Sequence, residues 1–154
     1  MSGRALNILL VEDNPDHAEL VRRNFESFQV VNFLHHVEDG EAAIEYIFGR
    51  GAFADRDRFP APDLVLLDLR LPRVGGLEVL RQIKSHPSLH RTPVVVLTTS
   101  DAERDVAMAY EYHANSFMTK PVDFHRLSQL IKDLGFYWLA WNTNPQRAGG
   151  HADP

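Results

Sequence analysis

The sequence predicts an α/β protein built on a doubly wound, five-stranded parallel sheet with helices on both faces. Short apolar runs of strand length alternate with longer segments of helical periodicity, which is the pattern of repeated βα units. Acidic residues close two of the apolar runs, and open parallel sheets bind their ligands at that edge. Right-handed crossovers leave few topologies for such strands, and we expect the strand order 2-1-3-4-5.

The predicted strands are short and rich in apolar residues. In chain order they are Asn7 to Val11, Asn32 to Val37, Asp63 to Leu67, Thr92 to Thr98 and Ser116 to Thr119. A segment of helical periodicity follows each strand, and such a crossover allows consecutive strands to run parallel.

The predicted helices begin and end at residues that favour helix termini. The first helix is predicted to start at Pro15. The other four are predicted from Glu41 to Phe48, Leu77 to Lys84, Ala102 to Tyr112 and Asp123 to Leu134. Pro15 suits a first turn that Asn14 or Asp13 could cap, and Gly135 is placed to stop the last helix. The buried stripe of the first helix is predicted to be Leu20, Val21, Asn24, Phe25 and Phe28.

Length and composition indicate one domain. The chain has 154 residues, of which 44% are hydrophobic, and we expect a single domain over residues 1–142 with a disordered tail over residues 143–154. The net charge of −5 disfavours direct binding to nucleic acid. The absence of cysteine excludes disulfides and thiol chemistry, and the first apolar run is too short for a signal peptide or a membrane span. We therefore expect a cytoplasmic protein.

The acidic residues at two strand ends are the main functional signal. Leu9 to Val11 leads into Glu12 and Asp13, and Leu64 to Leu67 leads into Asp68. In the expected order, strands one and three are neighbours at the switch point of the sheet, so the three carboxylates converge there. Converging like charges raise their pKa values or bind a cation, and carboxylate oxygens suit Mg²⁺ or Mn²⁺.

Hydroxyl and ammonium groups follow two further strands at the same edge. The fourth strand ends at Thr98, and the fifth leads into Lys120. With a divalent cation present, the site would admit a phosphoryl group, which Asp68 could attack to form an aspartyl phosphate. Lys120 and Thr98 would stabilise the charge on the transferred oxygens. The pattern predicts Asp68, Thr98 and Lys120 as catalytic residues of phosphoryl transfer.

These positions resemble the receiver domains of bacterial two-component response regulators. The acidic pair Glu12-Asp13, Asp68, Thr98 and Lys120 stand in register with that family, with Thr98 30 residues after Asp68 and Lys120 22 residues after Thr98. The resemblance implies a flavodoxin-like receiver fold and a phosphoprotein in phosphorelay signal transduction, not an enzyme that turns over free substrates. A sensor histidine kinase would supply the phosphoryl group, and a downstream protein would respond to the phosphorylated form.

The resemblance also implies a set of metal ligands. In the family, the second acidic residue of the pair, the phosphoacceptor and a carbonyl two residues beyond it hold the metal. In this chain those are Asp13, Asp68 and the carbonyl of Arg70, and Glu12 would act through metal-bound water. Arg70 and Ser100 would occupy the two positions that affect the lifetime of the phosphoryl group, and we hypothesise that Arg70 pairs with Glu12 or screens that group from water.

A conformational switch is implied as well. Thr98 would move toward the phosphoryl group and Phe117 would rotate inward, so that the face formed by the last two helices and the fifth strand changes shape. The bond before Pro121 would be a cis peptide that turns Lys120 into the site.

Two segments narrow the resemblance to the single-domain response regulators of cyanobacterial and bacterial phytochromes. One is the loop from Gly49 to Pro62, and the other is the aromatic stretch from Phe136 to Asn142. The kinase would then be a bacteriophytochrome. We expect the loop to be mobile rather than a kinase-docking element.

The aromatic stretch is too apolar to remain in water. It either folds back on its own domain or, as we expect, extends a homodimer interface on the face of the last two helices and the fifth strand. The candidate interface residues are Phe136, Tyr137, Trp138 and Trp141.

Each residue also has an interpretation without function. An acidic residue after a strand is often a helix cap, Thr98 alone could be a turn residue, and an aromatic such as Phe117 is usually packed in a core. The histidines are interpreted as surface or packing residues, because none shows a metal-site spacing.

Two other functional classes use a similar sheet. A haloacid-dehalogenase-like phosphatase also combines an aspartate with Mg²⁺, threonine and lysine, but Arg70 stands where its second aspartate is required. A flavin- or nucleotide-binding module would need a glycine-rich or hydroxyl-rich loop after the first strand, where Glu12 and Asp13 would repel phosphate.

Overall fold

The computed structural model describes residues 6–26, 32–98, 111–114, 116–120 and 122–133. Its strands are β1 Leu6–Val11, β2 Asn32–Val37, β3 Leu64–Asp68, β4 Val94–Thr98 and β5 Ser116–Thr119. They form one parallel sheet of five strands in the order β2-β1-β3-β4-β5. The predicted doubly wound α/β fold and its strand order are therefore confirmed.

The helices of the described ranges follow the predicted boundaries to within two residues. They are α1 Pro15–Glu26, α2 Gly40–Phe48, α3 Gly76–Ser85 and α4 Phe124–Asp133, with a 3-10 turn at Gly51–Phe53. Of the helix predicted from Ala102 to Tyr112, only its last two residues fall within the described part of the chain.

Helices cover both faces of the sheet and bury its inner strands β1, β3 and β4. Leu10 and Leu66 of the central strands pack on the side of α1 and α4, and Leu9 and Val65 pack on the side of α2 and α3. A parallel sheet needs this double cover because each crossover places a helix against it. The polar residues that follow the strands therefore gather at the edge of the sheet rather than on its faces.

The buried stripe of α1 differs in part from the prediction. Val21 and Phe25 are buried as expected, together with Ala18. Leu20 is 43% exposed, so its inclusion in the stripe is wrong. The buried residues repeat at intervals of three and four positions. Leu20 is one position from Val21, which turns its side chain by about 100° around the helix axis and away from the buried side. Phe28 lies outside the described residues.

The termini of α2 are capped by local sequence. The carboxylate of Asp39 accepts a hydrogen bond from the amide of Ala42 (2.8 Å) at the N-terminus. Gly49 ends the helix at φ 67°, in the left-handed region that glycine adopts without steric cost. A Cβ at Gly49 would also lie 2.7 Å from Nε of Arg56, so glycine allows the arginine to approach the helix end.

Arg56 ties the loop from Gly49 to Pro62 to the last turn of α2. Its Nη1 donates to the carbonyl oxygens of Tyr46 (2.8 Å) and Phe59 (3.0 Å), and its Nη2 donates to that of Ile47 (2.7 Å). The carbonyls of Tyr46 and Ile47 lie in the last turn of α2, where carbonyl groups lack the amide donors of a following turn.

An aromatic cluster packs the same loop against the domain. The rings of Tyr46, Phe53 and Phe59 have centroid separations between 5.1 and 6.0 Å, and the ring of His35 lies 5.5 Å from that of Tyr46. The hydroxyl of Tyr46 donates to the carbonyl of Pro60 (3.1 Å), and burial raises the pKa of Tyr46 to about 12. The expectation of a mobile loop is wrong, because aromatic contacts and hydrogen bonds hold it on α2.

Two further expectations concern membrane-spanning helices and the C-terminal tail. None of the described helices combines the length and the apolar composition needed to cross a bilayer. The aromatic stretch and the domain boundary expected at residue 142 fall outside the described residues.

We expect Arg56→Met to destabilise the domain by about 2 kcal/mol, because it removes three hydrogen bonds to carbonyl groups and keeps the apolar stem. Urea unfolding followed by circular dichroism measures this change. Arg58→Met is the matched control, since Arg58 is exposed and its guanidinium lies over the ring of Phe59 (5.1 Å); its effect should stay below about 0.5 kcal/mol. Equal losses in the two variants would contradict the role assigned to Arg56.

Candidate functional site

The carboxylates of Glu12, Asp13 and Asp68 meet at the carboxyl ends of β1 and β3. One oxygen from each lies within 4.8 Å of the other two. The parallel register places Val11 opposite Leu67, so the acidic residues that follow these two positions come side by side. The sheet therefore brings together the three acids that the sequence places at strand ends.

Asp68 closes β3 and is only 4% exposed. Its Oδ1 accepts a hydrogen bond from the amide of Arg70 (3.0 Å), and its Oδ2 accepts one from Nζ of Lys120 (2.8 Å). Burial raises the pKa of Asp68, and the charge of Glu12 adds to the effect, while the two hydrogen bonds oppose it. The two donors hold the carboxyl group in one orientation at the strand end.

Glu12 is completely buried beside it. Its Oε1 accepts a hydrogen bond from Nδ1 of His17 (2.7 Å), and its Oε2 accepts hydrogen bonds from Nζ of Lys120 (3.1 Å) and the amide of Asn14 (3.1 Å). Burial by itself raises the pKa of Glu12, but these hydrogen bonds outweigh burial and hold the pKa at about 2. Nε2 of His36 lies 2.7 Å from the carbonyl oxygen of Glu12 and donates to it. Glu12 is therefore ionised at neutral pH and fixed through both side chain and backbone.

Lys120 links the two buried carboxylates. Its Nζ lies 2.8 Å from Oδ2 of Asp68 and 2.9 Å from Oε1 of Glu12. Burial lowers the pKa of Lys120, but the hydrogen bonds to Asp68 and Glu12 outweigh burial and raise it, so the ammonium stays charged. Counted formally, the three carboxylates and one ammonium give the site a charge of −2.

Thr98 ends β4 next to the acidic cluster. The register pairs Asp68 with Leu97 and Thr98 with Thr119, so Thr98 lies one position beyond Asp68 at the same edge. Thr98 is buried, and its carbonyl oxygen accepts a hydrogen bond from the amide of Lys120 (2.7 Å). That bond extends the pairing of β4 and β5 by one residue and sets the backbone position of Lys120.

The donor set of the cluster fits a hard divalent cation. Carboxylate oxygens are the ligands that Mg²⁺ and Mn²⁺ prefer, and the formal negative charge favours a cation. Asp13 is exposed, whereas Glu12 and Asp68 are buried, so the cluster is open to solvent on the side of Asp13.

Several predicted site residues lie outside the described part of the chain. They are Ser100, Pro121, Phe136, Tyr137, Trp138 and Trp141. Phe117 lies in β5 opposite Val96, and its role as a switch stays a prediction. Arg70 is exposed, and the hypothesis that it pairs with Glu12 or screens the phosphoryl group also stays a prediction.

Two histidines that contact Glu12 have no role in the sequence-based prediction. His17 lies in the first turn of α1, directly after the acidic strand end, and this proximity is the signal that could have found it. His36 reaches Glu12 because β1 and β2 pair in parallel with Leu10 opposite His36. That contact joins two strands, so no local pattern indicates it.

Comparison with known proteins gives the chain a family. Residues 8–132 match the response regulator receiver domain. A probable methanogenesis regulatory protein, FilR2 of Methanothrix harundinacea, is 44% identical over 138 residues, which cover 90% of this chain and 86% of that protein. Response regulator Rcp1 of Synechocystis sp. is 39% identical over 138 residues, which cover 90% of this chain and 92% of that protein.

Solved structures agree with the sequence comparison. A crystal structure of the Mn²⁺-bound form of Rcp1 matches with a TM-score of 0.71 at 39% identity, over 87% of this chain and 94% of that one. The bacteriophytochrome response regulator RtBRR matches with a TM-score of 0.79 at 40% identity, over 92% of this chain and 84% of that one. With its strand order, its strand-end acids and this degree of similarity, the chain belongs to the receiver domain family of response regulators.

Proposed function

We propose that Asp68 of this response regulator accepts a phosphoryl group from a sensor histidine kinase, with residues 1–142 as the receiver unit. The observation that carries the proposal is the buried carboxylate of Asp68, which lies at the switch point of the sheet with Lys120 2.8 Å from one oxygen. Receiver domains act with histidine kinases and are not in general enzymes that turn over free substrates. In this proposal the chain likewise receives its phosphoryl group from a kinase and turns over no free substrate.

Asp68 supplies the nucleophile of the transfer. One carboxylate oxygen forms a bond to phosphorus while the bond between phosphorus and its donor breaks, and the donor leaves with that electron pair. Lys120 already donates to Asp68, so its ammonium is placed to stabilise charge on the transferred oxygens. Thr98 lies at the adjacent strand end and offers its hydroxyl to the same oxygens.

We assign Asp13, Asp68 and the backbone carbonyl of Arg70 as the ligands of Mg²⁺ or Mn²⁺, with Glu12 in the outer coordination sphere. When bound, the cation supplies the positive charge that lets a phosphoryl anion approach. The acidic cluster supports this assignment, because its formal charge of −2 would otherwise repel such an anion. The similarity to the Mn²⁺-bound form of Rcp1 supports it further.

We propose a bacteriophytochrome as the cognate kinase. The support is the similarity to RtBRR, which is described as a bacteriophytochrome response regulator. A downstream protein would recognise the change at Thr98 and Phe117, and the net charge of −5 disfavours nucleic acid as a direct partner. The cytoplasmic location stays a prediction.

Asp13→Asn is expected to weaken Mn²⁺ binding roughly tenfold, because it removes the charge of one of the three clustered carboxylates. Isothermal titration calorimetry measures the affinity. Asp16→Asn is the matched control, since Asp16 is exposed on α1 and outside the cluster, and it should bind Mn²⁺ within about twofold of wild type. Equal losses would mean that general surface charge, rather than the cluster, attracts the ion.

Incubation with acetyl phosphate and Mg²⁺ is expected to add one phosphoryl group, which intact-mass spectrometry detects and peptide mapping assigns to Asp68. Asp68→Asn should gain none, because an amide is a poor nucleophile toward phosphorus. Asp63→Asn is the matched control and should be phosphorylated like wild type. Asp63 precedes the opposite end of β3, where its Oδ2 accepts a hydrogen bond from the amide of Asn7 (2.8 Å).

The outcome separates three possibilities. An adduct that persists in Asp68→Asn would place the phosphoacceptor elsewhere. An adduct that forms equally fast without Mg²⁺ would contradict the metal assignment. A wild-type protein without any adduct would be a receiver that signals by binding alone.

We also propose a homodimer on the face of β5 and α4, extended by the aromatic residues Phe136, Tyr137, Trp138 and Trp141. Sedimentation velocity should show a dimer for wild type and a monomer for the double variant Trp138→Ala/Trp141→Ala, because aromatic side chains contribute most to such interfaces. Phe33→Ala is the control, since Phe33 is 59% exposed on the edge strand β2, away from β5. A wild type that remains monomeric before and after phosphorylation would rule the dimer out.

A further inference from the structure

His17 binds the acidic residue that competes with Asp68 for Lys120. The side chain of His17 is 11% exposed, and its Nδ1 lies 2.7 Å from Oε1 of Glu12. The same oxygen of Glu12 lies 2.9 Å from Nζ of Lys120. An ionised carboxylate only accepts hydrogen bonds, so Nδ1 of His17 is the donor in this pair.

A phosphoryl group on Asp68 would give Lys120 a further anionic partner and would draw its ammonium away from Glu12. Before transfer the ammonium is shared between Asp68 and Glu12. Turning toward the transferred oxygens would take this donor from the fully buried Glu12. A buried carboxylate without enough donors is costly, so Glu12 would hold the ammonium back unless other donors satisfy it.

We propose that His17 is a positioning residue that satisfies Glu12 and so allows Lys120 to turn to the phosphoryl group. The inference rests on the proposed function, because it concerns the step in which Asp68 is phosphorylated. After Lys120 has turned away, Nδ1 of His17 still donates to Oε1 of Glu12 and the amide of Asn14 still donates to Oε2. Both oxygens of the buried carboxylate remain hydrogen-bonded.

Among the described residues, Glu12 is the one hydrogen-bond partner of the His17 ring. Nε2 is shielded from solvent and has no hydrogen-bond partner among the described residues. Burying a ring nitrogen without a partner costs free energy, and the charge-assisted bond from Nδ1 to the carboxylate offsets that cost. The position of His17 therefore depends on Glu12, as a positioning role requires.

Backbone contacts prevent Glu12 from following Lys120. The amide of Glu12 donates to the carbonyl of Val37 (3.0 Å), and the carbonyl of Glu12 accepts a hydrogen bond from Nε2 of His36 (2.7 Å). Strand β2 thus fixes the backbone while His17 of α1 fixes the carboxylate. When Lys120 turns, the carboxylate stays in place.

The test compares His17→Leu and His17→Asn in phosphorylation by acetyl phosphate at saturating Mg²⁺. Leucine fills a similar volume without a donor, and the maximal rate is expected to fall about tenfold while the half-saturating concentration of acetyl phosphate changes little. Asparagine carries its amide nitrogen on Cγ, as histidine carries Nδ1, so it can donate to Glu12 from a similar position. The maximal rate of His17→Asn should therefore lie within about threefold of the wild-type rate. A loss confined to the half-saturating concentration, or an equal loss in both variants, would overturn the inference.

A Glu12→Gln background separates positioning from a structural role. The neutral amide no longer holds Lys120 in an ion pair, so adding His17→Leu should change the rate by less than about twofold. An equal effect of His17→Leu in both backgrounds would overturn the inference, because His17 would then act independently of Glu12.

Folding and the proposed function are checked in the same series. If His17→Leu does not fold, His17→Gln replaces it, since its amide nitrogen lies one bond further out and should support a slower rate than His17→Asn. A wild type that accepts the phosphoryl group while His17→Leu matches it overturns this inference alone. A wild type that accepts none overturns the proposed function.

Discussion

The ion pairs between Lys120 and the two buried carboxylates of Glu12 and Asp68 are the constraint on which the site depends. Two like charges buried side by side are unfavourable, and removing their common partner would leave uncompensated charge in the interior. Lys120 follows the edge strand β5 and is separated from Glu12 by 108 residues in sequence. Its contacts therefore tie the end of an edge strand to the ends of the two central strands.

The sheet and its helices make this concentration of charge possible. Helices cover both faces of the sheet, so the strand ends are the part of the central strands that solvent and ligands can reach. Glu12 is held from three directions, by His17 of α1, by His36 of β2 and by Lys120 after β5. The carboxylate of Glu12, with donors from His17, Lys120 and the amide of Asn14, stays ionised and fixed beside Asp68.

The loop from Gly49 to Pro62 lies apart from this chemistry. Arg56 and the aromatic rings of Phe53 and Phe59 pack it against α2, on the side of the sheet that α2 and α3 cover. His17, by contrast, belongs to α1, on the opposite side. The loop therefore contributes to the stability of the domain and lies apart from the acidic cluster at the strand ends.

The sequence by itself determined the order of strands and helices and the convergence of Glu12 with Asp68. Apolar runs, helix caps and crossover handedness are local or general rules, and parallel pairing brings the carboxyl ends of all the strands to one edge whatever the details of packing. The exposure of Leu20, the contacts of Arg56 with α2 and the bond from His17 to Glu12 were decided only by the tertiary structure. Each of these features depends on which side of a helix or loop packs against another segment. That orientation is set by contacts between residues far apart in sequence, and no local pattern specifies it.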